Sequence, residues 1–478
     1  MSDGRLNIEP PPLNYWTTQK KLIETFFKTN SFVRLSSISK YQMEKDNITE
    51  LLEKELGYLP TTDQQVLFAK LSNFIANYRH PDRRDDCLII HGYAGTGKTS
   101  AVAAIVKVLP KVGLKSVLLA PTGRAAKVLS GYSGHAAYTI HKKIYRQKSV
   151  SNGMGEFSLD KNLHQNTIFI IDEASMIANN PAENSVFGSG CLLDDLFQYV
   201  YSGEMCKIIL VGDTAQLPPI GINASPALSR EVVDKMGFNV TEHELRQVVR
   251  QSEQSGILQN ATALRELIAR QFNGYPQLTI KPYADIQRIS GAELLDAIEY
   301  CYGKYGIENT MILCRTNKQA NRYNAGIRQR ILWREEEIAK GDQLMIVKNN
   351  YFWLDKEQQE HTPFIANGDI AEITRIGKHI NLYGFRFVDA DLRMIDYPDL
   401  EIQAKIMLDT LTSESASLTR DENLRLFNTV MEDYADIKNK RDRIKKIKEN
   451  PYFNALQVKF SYAITCHKAQ GGQWQAIF

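Results

Sequence analysis

The run Gly92-Tyr93-Ala94-Gly95-Thr96-Gly97-Lys98-Thr99 carries the clearest chemistry in this chain. It fits G-x-x-x-x-G-K-[ST]. Cys87-Leu88-Ile89-Ile90 before it reads as a buried strand, and Ser100 to Val108 after it as a helix. A strand, a glycine loop and a helix in that order aim backbone N–H groups and a helix N-terminus at phosphates. Gly92, Gly95 and Gly97 let the main chain turn tightly and approach a nucleotide. Lys98 is placed to reach its β- and γ-phosphates, and Thr99 to hold Mg²⁺.

Three further clusters fit the same chemistry. Ile168–Ile171 leads into Asp172-Glu173, an apolar strand ending in two carboxylates. Asp172 suits Mg²⁺ held through water, and Glu173 suits a base that orients and deprotonates attacking water. Ile208–Val211 leads into Gly212-Asp213-Thr214-Ala215-Gln216. Gln216 reads either as a sensor of the γ-phosphate or as a surface residue of a proline-terminated turn. In Leu245-Arg246-Gln247-Val248-Val249-Arg250-Gln251, Arg250 reads either as a cation for the transferring phosphoryl group or as a surface arginine.

The elements that must position these groups follow from periodicity. Apolar runs at Cys87–Tyr93, Ser116–Ala120, Thr167–Asp172 and Lys207–Gly212 alternate with helical stretches. That predicts an α/β fold with a parallel sheet covered by helices, whose ligands lie at the carboxyl ends of the strands. A similar pattern resumes at Thr310–Arg315 and Lys459–Thr465. The expected organisation is an accessory segment 1–58, a first domain 59–246, a second domain formed by 247–330 and 457–478, and an insertion 331–456. Within the insertion, Leu344–Val347, Ile370–Ile376, Ile380–Leu382 and Phe385–Val388 predict a small β-barrel, and Ser413 to Glu449 predicts helices. The basic run Lys438 to Lys448 reads as a solvated helix face or a nucleic-acid contact.

Composition narrows the class. The chain has 478 residues, 43% apolar, with net charge +3, so any basic track must be local. Six cysteines without a C-x-x-C pair fit reduced thiols and a cytoplasmic setting. The sequence has neither an apolar run of membrane-spanning length nor a signal-peptide core.

Taken in order, these motifs resemble those of the superfamily 1B DNA helicases, nearest the RecD-like and Dda-like members. Pro60-Thr61-Thr62-Asp63-Gln64 is similar to the family's T-x-x-Q adenine-reading motif, with Gln65 as an alternative register. Ala120-Pro121-Thr122-Gly123-Arg124-Ala125-Ala126 resembles A-P-T-x-x-A-A, and Thr139-Ile140-His141 resembles T-I-H. Thr316-Asn317-Lys318 with Asn324 and Arg328 resembles T-N-K…N…R. Thr465-Cys466-His467-Lys468-Ala469-Gln470-Gly471 resembles T-x-H-K-A-Q-G.

The resemblance covers Leu59 to Phe478. It implies two RecA-like P-loop NTPase domains, the second carrying an inserted SH3-like barrel, with ATP and Mg²⁺ between them. Single-stranded DNA would cross the top and be moved 5′ to 3′ in replication, recombination or repair. The implied DNA contacts are Pro121, Thr122, Thr139, His141, Asn317, Thr465 and His467. The implied partners are single-stranded DNA, single-strand/duplex junctions and repair or replication proteins; the implied enzyme is a monomer. A wedge hairpin is expected at about 149–165, with Met154 or Phe157 facing the junction; a plain loop is the other reading.

The family's closing T-R-A or T-R-G segment has no counterpart before Phe478. That implies a second domain without its last strand and one phosphate-binding Arg, either in a truncated gene or in a protein that continues, with weak coupled unwinding by these 478 residues. Three other functions fit parts of the pattern: an ATPase that remodels a protein, an RNA helicase, and a noncatalytic DNA-binding subunit.

Overall fold

The computed structural model describes residues 47–78, 80–93, 95–151, 154–179, 188–219, 221–247, 255–361, 364–395, 397 and 400–478. Most of the segment expected to stand apart, 1–46, lies outside that set. Its end does not stand apart. The helix over 47–56 buries Ile48, Leu52 and Leu56 in the same core as Leu67, Leu71 and Phe74 of the helix Thr62–Ala76. The first domain therefore begins before Leu59.

Among the described residues that domain has eight strands: β1 (Asp86–Gly92), β2 (Lys115–Ala120), β3 (Ala137–Thr139), β4 (Tyr145–Ser151), β5 (Met154–Leu159), β6 (Gln165–Ile171), β7 (Glu204–Gly212) and β8 (Asn239–Leu245). Six of them form a parallel sheet in the order β3-β2-β6-β7-β1-β8. The continuous apolar runs of β1, β6 and β7 are explained by cover on both faces, as parallel sheets require. The strand order places the ends of β6, β7 and β1 side by side. The P-loop, Asp172-Glu173 and Asp213–Gln216 thus share one stretch of the carboxyl edge. The ends of β2 and β3 lie on the far side of β6, on that same edge.

β4 and β5 form an antiparallel hairpin outside the sheet. It starts four residues before the expected wedge and ends at Leu159, and 160–164 is a connector without strand structure. Tyr145 roots it through a 2.6 Å hydrogen bond from its hydroxyl to Asp195 Oδ2. Phe157 packs against the first domain's core, so it does not face outward as a wedge residue. The Met154 side chain lies outside the described residues.

The second domain holds a three-stranded parallel sheet of β9 (Thr310–Cys314), β15 (Ala463–Thr465) and β16 (Ala476–Ile477), with β9 central. Between β9 and β15 lies a closed barrel of β10 (Gln343–Ile346), β11 (Ile370–Leu382), β12 (Phe385–Met394), β13 (Glu401–Met407) and β14 (Leu456–Phe460). Three expectations are corrected here. Ile370–Ile376 and Ile380–Leu382 are one strand, β11, whose register shifts twice against β12. β13 was missed. The barrel's closing strand, β14, falls in residues expected to belong to the second sheet; Ser461-Tyr462 is the step from barrel to sheet.

A buried carboxylate holds that step together. Asp342, fully buried, accepts from Arg328 Nε and Nη2 at 3.0 Å each, Arg334 Nη1 at 2.6 Å, the Tyr462 hydroxyl at 2.9 Å and Ala339 N at 2.7 Å. Asn324 donates to Phe460 O and Ala463 O, and accepts from Ala463 N at 2.7 Å. Asn324 and Arg328 of the T-N-K…N…R segment are therefore spent on structure. The helices Arg420–Glu432 and Lys440–Lys448 pack on the barrel through Leu426, Phe427, Val430 and Ile447 against Phe385, Phe387 and Met407.

Candidate nucleotide site and nucleic-acid edge

The P-loop turns between β1 and the helix Lys98–Val108. Gly95 and Gly97 adopt left-handed φ of 82° and 86°, which side chains resist. A Cβ at Gly92 would lie 2.8 Å from Thr96 Oγ1 and 3.1 Å from Leu245 Cβ, so this position admits only glycine without rearrangement. Lys98 Nζ donates to Gly92 O at 2.5 Å and Tyr93 O at 2.9 Å. Burial lowers the Lys98 pKa, while the charges of Asp213, Glu173 and Asp172 pull it back up. A desolvated ammonium resting on two carbonyls at a glycine loop suits a phosphate, which is the stronger acceptor. Thr99 occupies the first turn of the same helix.

At the end of β6, Asp172 N donates to Leu119 O at 3.0 Å, fixing its backbone. Its carboxylate accepts from the Tyr132 hydroxyl at 2.5 Å and from Glu173 N at 2.9 Å. Glu173 has φ 52°, unusual for a side-chain-bearing residue and the kind of backbone cost that functional sites retain. Burial, then the Asp172 charge, push the Glu173 pKa up to about 7, against the pull of Lys98. Ser175 Oγ donates to Gln216 Oε1 at 3.3 Å, which leaves the Gln216 amide N–H to donate to Glu173. Asp213 is buried, and its Oδ1 accepts from Ala215 N at 2.9 Å. Lys98, Asp172, Glu173 and Gln216 are thus brought together. With Thr99 they form a donor set suited to Mg²⁺ and a nucleoside triphosphate, since Mg²⁺ is usually shared between few protein ligands and substrate phosphates.

Two sequence candidates fare differently. Arg250 lies outside the described residues. Gln64 is fully buried at the start of its helix; its Oε1 accepts from Thr61 N at 3.0 Å and its Nε2 donates to the Tyr58 hydroxyl at 3.2 Å. It caps the helix, and the neighbouring Gln65 is the exposed one. Three site residues escaped sequence reasoning: Tyr132, Asp213 and Arg265. Arg265, from the helix Gly256–Ala269, places its guanidinium 4.7 Å from the Tyr93 ring centroid, and its charge acts on Lys98. A cation thus reaches the P-loop from beyond β8. Only the Gly212-Asp213 step after an apolar strand carried a sequence signal for any of the three.

The edge beyond β6 repeats one local device. Pro121, partly buried, follows β2 directly. Thr122 then caps the helix Gly123–Ser133, accepting from Ala125 N at 3.2 Å, and Thr139 caps the helix Ile140–Ile144, accepting from Lys142 N at 3.3 Å. Each hydroxyl accepts from its helix; Thr122 is partly exposed and keeps its proton for an outward acceptor such as a phosphate, whereas Thr139 is buried. Burial lowers the His141 pKa, which favours a neutral ring that can donate or accept. In the second domain, Thr465 starts the helix Cys466–Ala469 without a side-chain cap, and His467 is partly buried beside it. Asn317 and Thr465 line one narrow cleft with Lys468. Asn317 Nδ2 donates to Glu414 O at 3.1 Å, so its amide is committed to the insertion.

The two domains meet over this edge. Lys127 pairs with the buried Asp369 at 2.6 Å and lies 3.3 Å from the Tyr397 ring centroid. Arg124 stacks on Trp474, and Gln470 Nε2 donates to Leu217 O at 3.1 Å.

The fold and the candidate site are those of a P-loop protein built on two parallel sheets. An AAA domain family model matches residues 81–293. The ATP-dependent RecD2 DNA helicase of Deinococcus radiodurans is 29% identical over 180 residues, 37% of this chain and 21% of that protein. The ATP-dependent DNA helicase dda of Enterobacteria phage T4 is 24% identical over 401 residues, covering 80% of this chain and 84% of that one. A crystal structure of Pif1 helicase from Candida albicans aligns over 87% of both chains, at 15% identity and TM-score 0.37. Together with the ordered motifs, these likenesses support a superfamily 1B helicase; the chain spans about a fifth of the RecD2 relative's length.

Proposed function

We propose that this protein is an ATP-driven motor that moves 5′ to 3′ along single-stranded DNA and opens duplex at junctions, acting as a cytoplasmic monomer in replication, recombination or repair. One observation carries the reading: β6 divides a single sheet edge into a nucleotide half, with Lys98, Glu173 and Gln216, and a half that carries the helix-capping Thr122 and Thr139 and the His141 imidazole. Among the described residues no helix is long and apolar enough to cross a membrane.

In this reading Lys98 leaves the P-loop carbonyls for the β- and γ-phosphates. Mg²⁺, held by the Thr99 hydroxyl and through water by Asp172, would offset charge on those phosphates. Glu173 accepts a proton from the attacking water, a role its raised pKa suits. Gln216, bonded to Glu173 and Ser175, changes partners when a γ-phosphate is present. Arg250 stabilises the transferring group. Cycles of cleft closure and opening shift the strand held by the two domains.

Steady-state ATP hydrolysis with and without oligo(dT) tests the motor. Displacement of streptavidin from one end of a biotinylated oligonucleotide tests its direction. DNA-stimulated hydrolysis with displacement from the 3′ end is expected. Stimulation by RNA alone would make the protein an RNA motor, and hydrolysis indifferent to nucleic acid would favour a protein remodeller.

A further inference from the structure

A cavity of about 320 Å³ opens between the barrel and its helical extension, away from the nucleotide cleft. Lys348, Tyr351 and Phe352, after β10, form one wall. Lys448 of the helix Lys440–Lys448, with Phe453 and Asn454, forms another. The volume lies in the range of small-molecule sites. It combines aromatic faces with ammonium groups. Lys348 is exposed, with Asn423 Oδ1 at 3.5 Å, the outer limit of a hydrogen bond. Tyr351 is 53% exposed and ready to stack.

Two chains of contacts lead to this cavity from the DNA motifs. From T-I-H, Lys142 lies 4.7 Å from the Phe364 ring, and Phe364 stacks on Tyr351 with centroids 5.2 Å apart. From T-x-H-K-A-Q-G, Lys468 Nζ donates to Asn367 Oδ1 at 2.5 Å, and Asn367 N donates to Asn349 Oδ1 at 2.7 Å, on the cavity's rim. The helix KRDRIKKIK, whose basic run no part of the motor uses, supplies positive charge at the mouth.

We propose that this cavity holds one unstacked nucleotide of the bound DNA strand, its base against Tyr351 and its flanking phosphates at Lys348 and Lys448. The proposal rests on the single-stranded DNA reading above and adds to it a subsite outside both motor sheets. A base held there leaves the stack as the strand passes the barrel, so the site acts as a brake on slippage between steps.

Fluorescence anisotropy with a labelled oligo(dT), and mant-ADP binding as the control for the nucleotide site, test this. Tyr351→Ala should weaken oligo(dT) binding roughly 5- to 150-fold, the range of base–aromatic stacks, and Tyr351→Phe should restore it. Lys348→Ala with Lys448→Ala should reduce the slope of log affinity against log salt by about 1.4, at about 0.7 per phosphate contact on a single strand. Mant-ADP affinity should not change. If the wild type binds oligo(dT) and every variant matches it in affinity and slope, the cavity is not a DNA site and the motor reading stands. If the wild type binds no oligo(dT), both fall together. Tighter binding of oligo(U) than oligo(dT), lost in the same variants, would reassign the cavity to RNA.

Discussion

The carboxyl edges of the two sheets use similar residues for different ends. On the first, Asp172, Glu173 and Asp213 converge on Lys98 with few packing duties, and burial tunes Lys98 and Glu173. On the second, the polar groups are consumed by the inserted barrel: Asn317 holds Glu414, Asn324 holds both sides of the Phe460–Ala463 step, and Arg328 is locked on Asp342. An insertion of this size must be anchored where the chain leaves and re-enters the sheet. Those two crossings fall among the motif residues. The lesson is that a motif's residue types do not say whether its side chains face a ligand or the neighbouring chain.

Substitutions can break that contrast. The largest effect is expected for Glu173→Gln, which should lower ATP hydrolysis roughly 10²- to 10⁴-fold without lowering the urea midpoint. A lowered midpoint with hydrolysis intact would reverse the assignment of the two edges. Asp342→Ala should do the opposite. It strands the buried Arg328 and the partly buried Arg334 guanidiniums and should cost about 3–5 kcal/mol in urea unfolding, with hydrolysis per folded molecule kept.

The pH dependence sharpens the first edge. Glu173 must be ionised to act as a base, and its pKa is pushed up to about 7, so hydrolysis should rise with pH through an acid limb no higher than about 7. A profile flat down to pH 5 would exclude Glu173 as the base. The same shift has a stability consequence. The folded state binds this proton more tightly than the unfolded chain, where the pKa is about 4.3. The Glu173 contribution to stability therefore falls as pH rises from about 4.3 through about 7, and Glu173→Gln should remove that slope from urea titrations. The smallest effect is expected for Asn317→Ala, about 0.5–1.5 kcal/mol of stability for one lost hydrogen bond. A large loss of oligo(dT) binding with stability unchanged would return Asn317 to the DNA-contact set.

The P-loop, the Asp172-Glu173 pair and Gln216 were legible because each is a contiguous strand-to-loop step whose residues act within a few positions of one another. Tyr132 and Arg265 were not. Tyr132 meets Asp172 across 40 positions, and Arg265 comes from a helix beyond the first sheet's last strand. Barrel strands showed as apolar stretches. Nothing local to β14 says that it closes the barrel against β10 and β13 and does not join β9. Phe157 reads equally well as a wedge or a core residue until its packing is seen.

By itself, then, the order of residues determined the fold class, the glycine loop and the family resemblance, because these rest on local backbone demands and on apolar runs that need cover on two faces. Only the tertiary structure decided which strands are neighbours, and with that which motif ends meet at the nucleotide cleft and which hold the barrel. Strand order and register come from packing between segments far apart in the chain, and no short stretch of sequence contains that information.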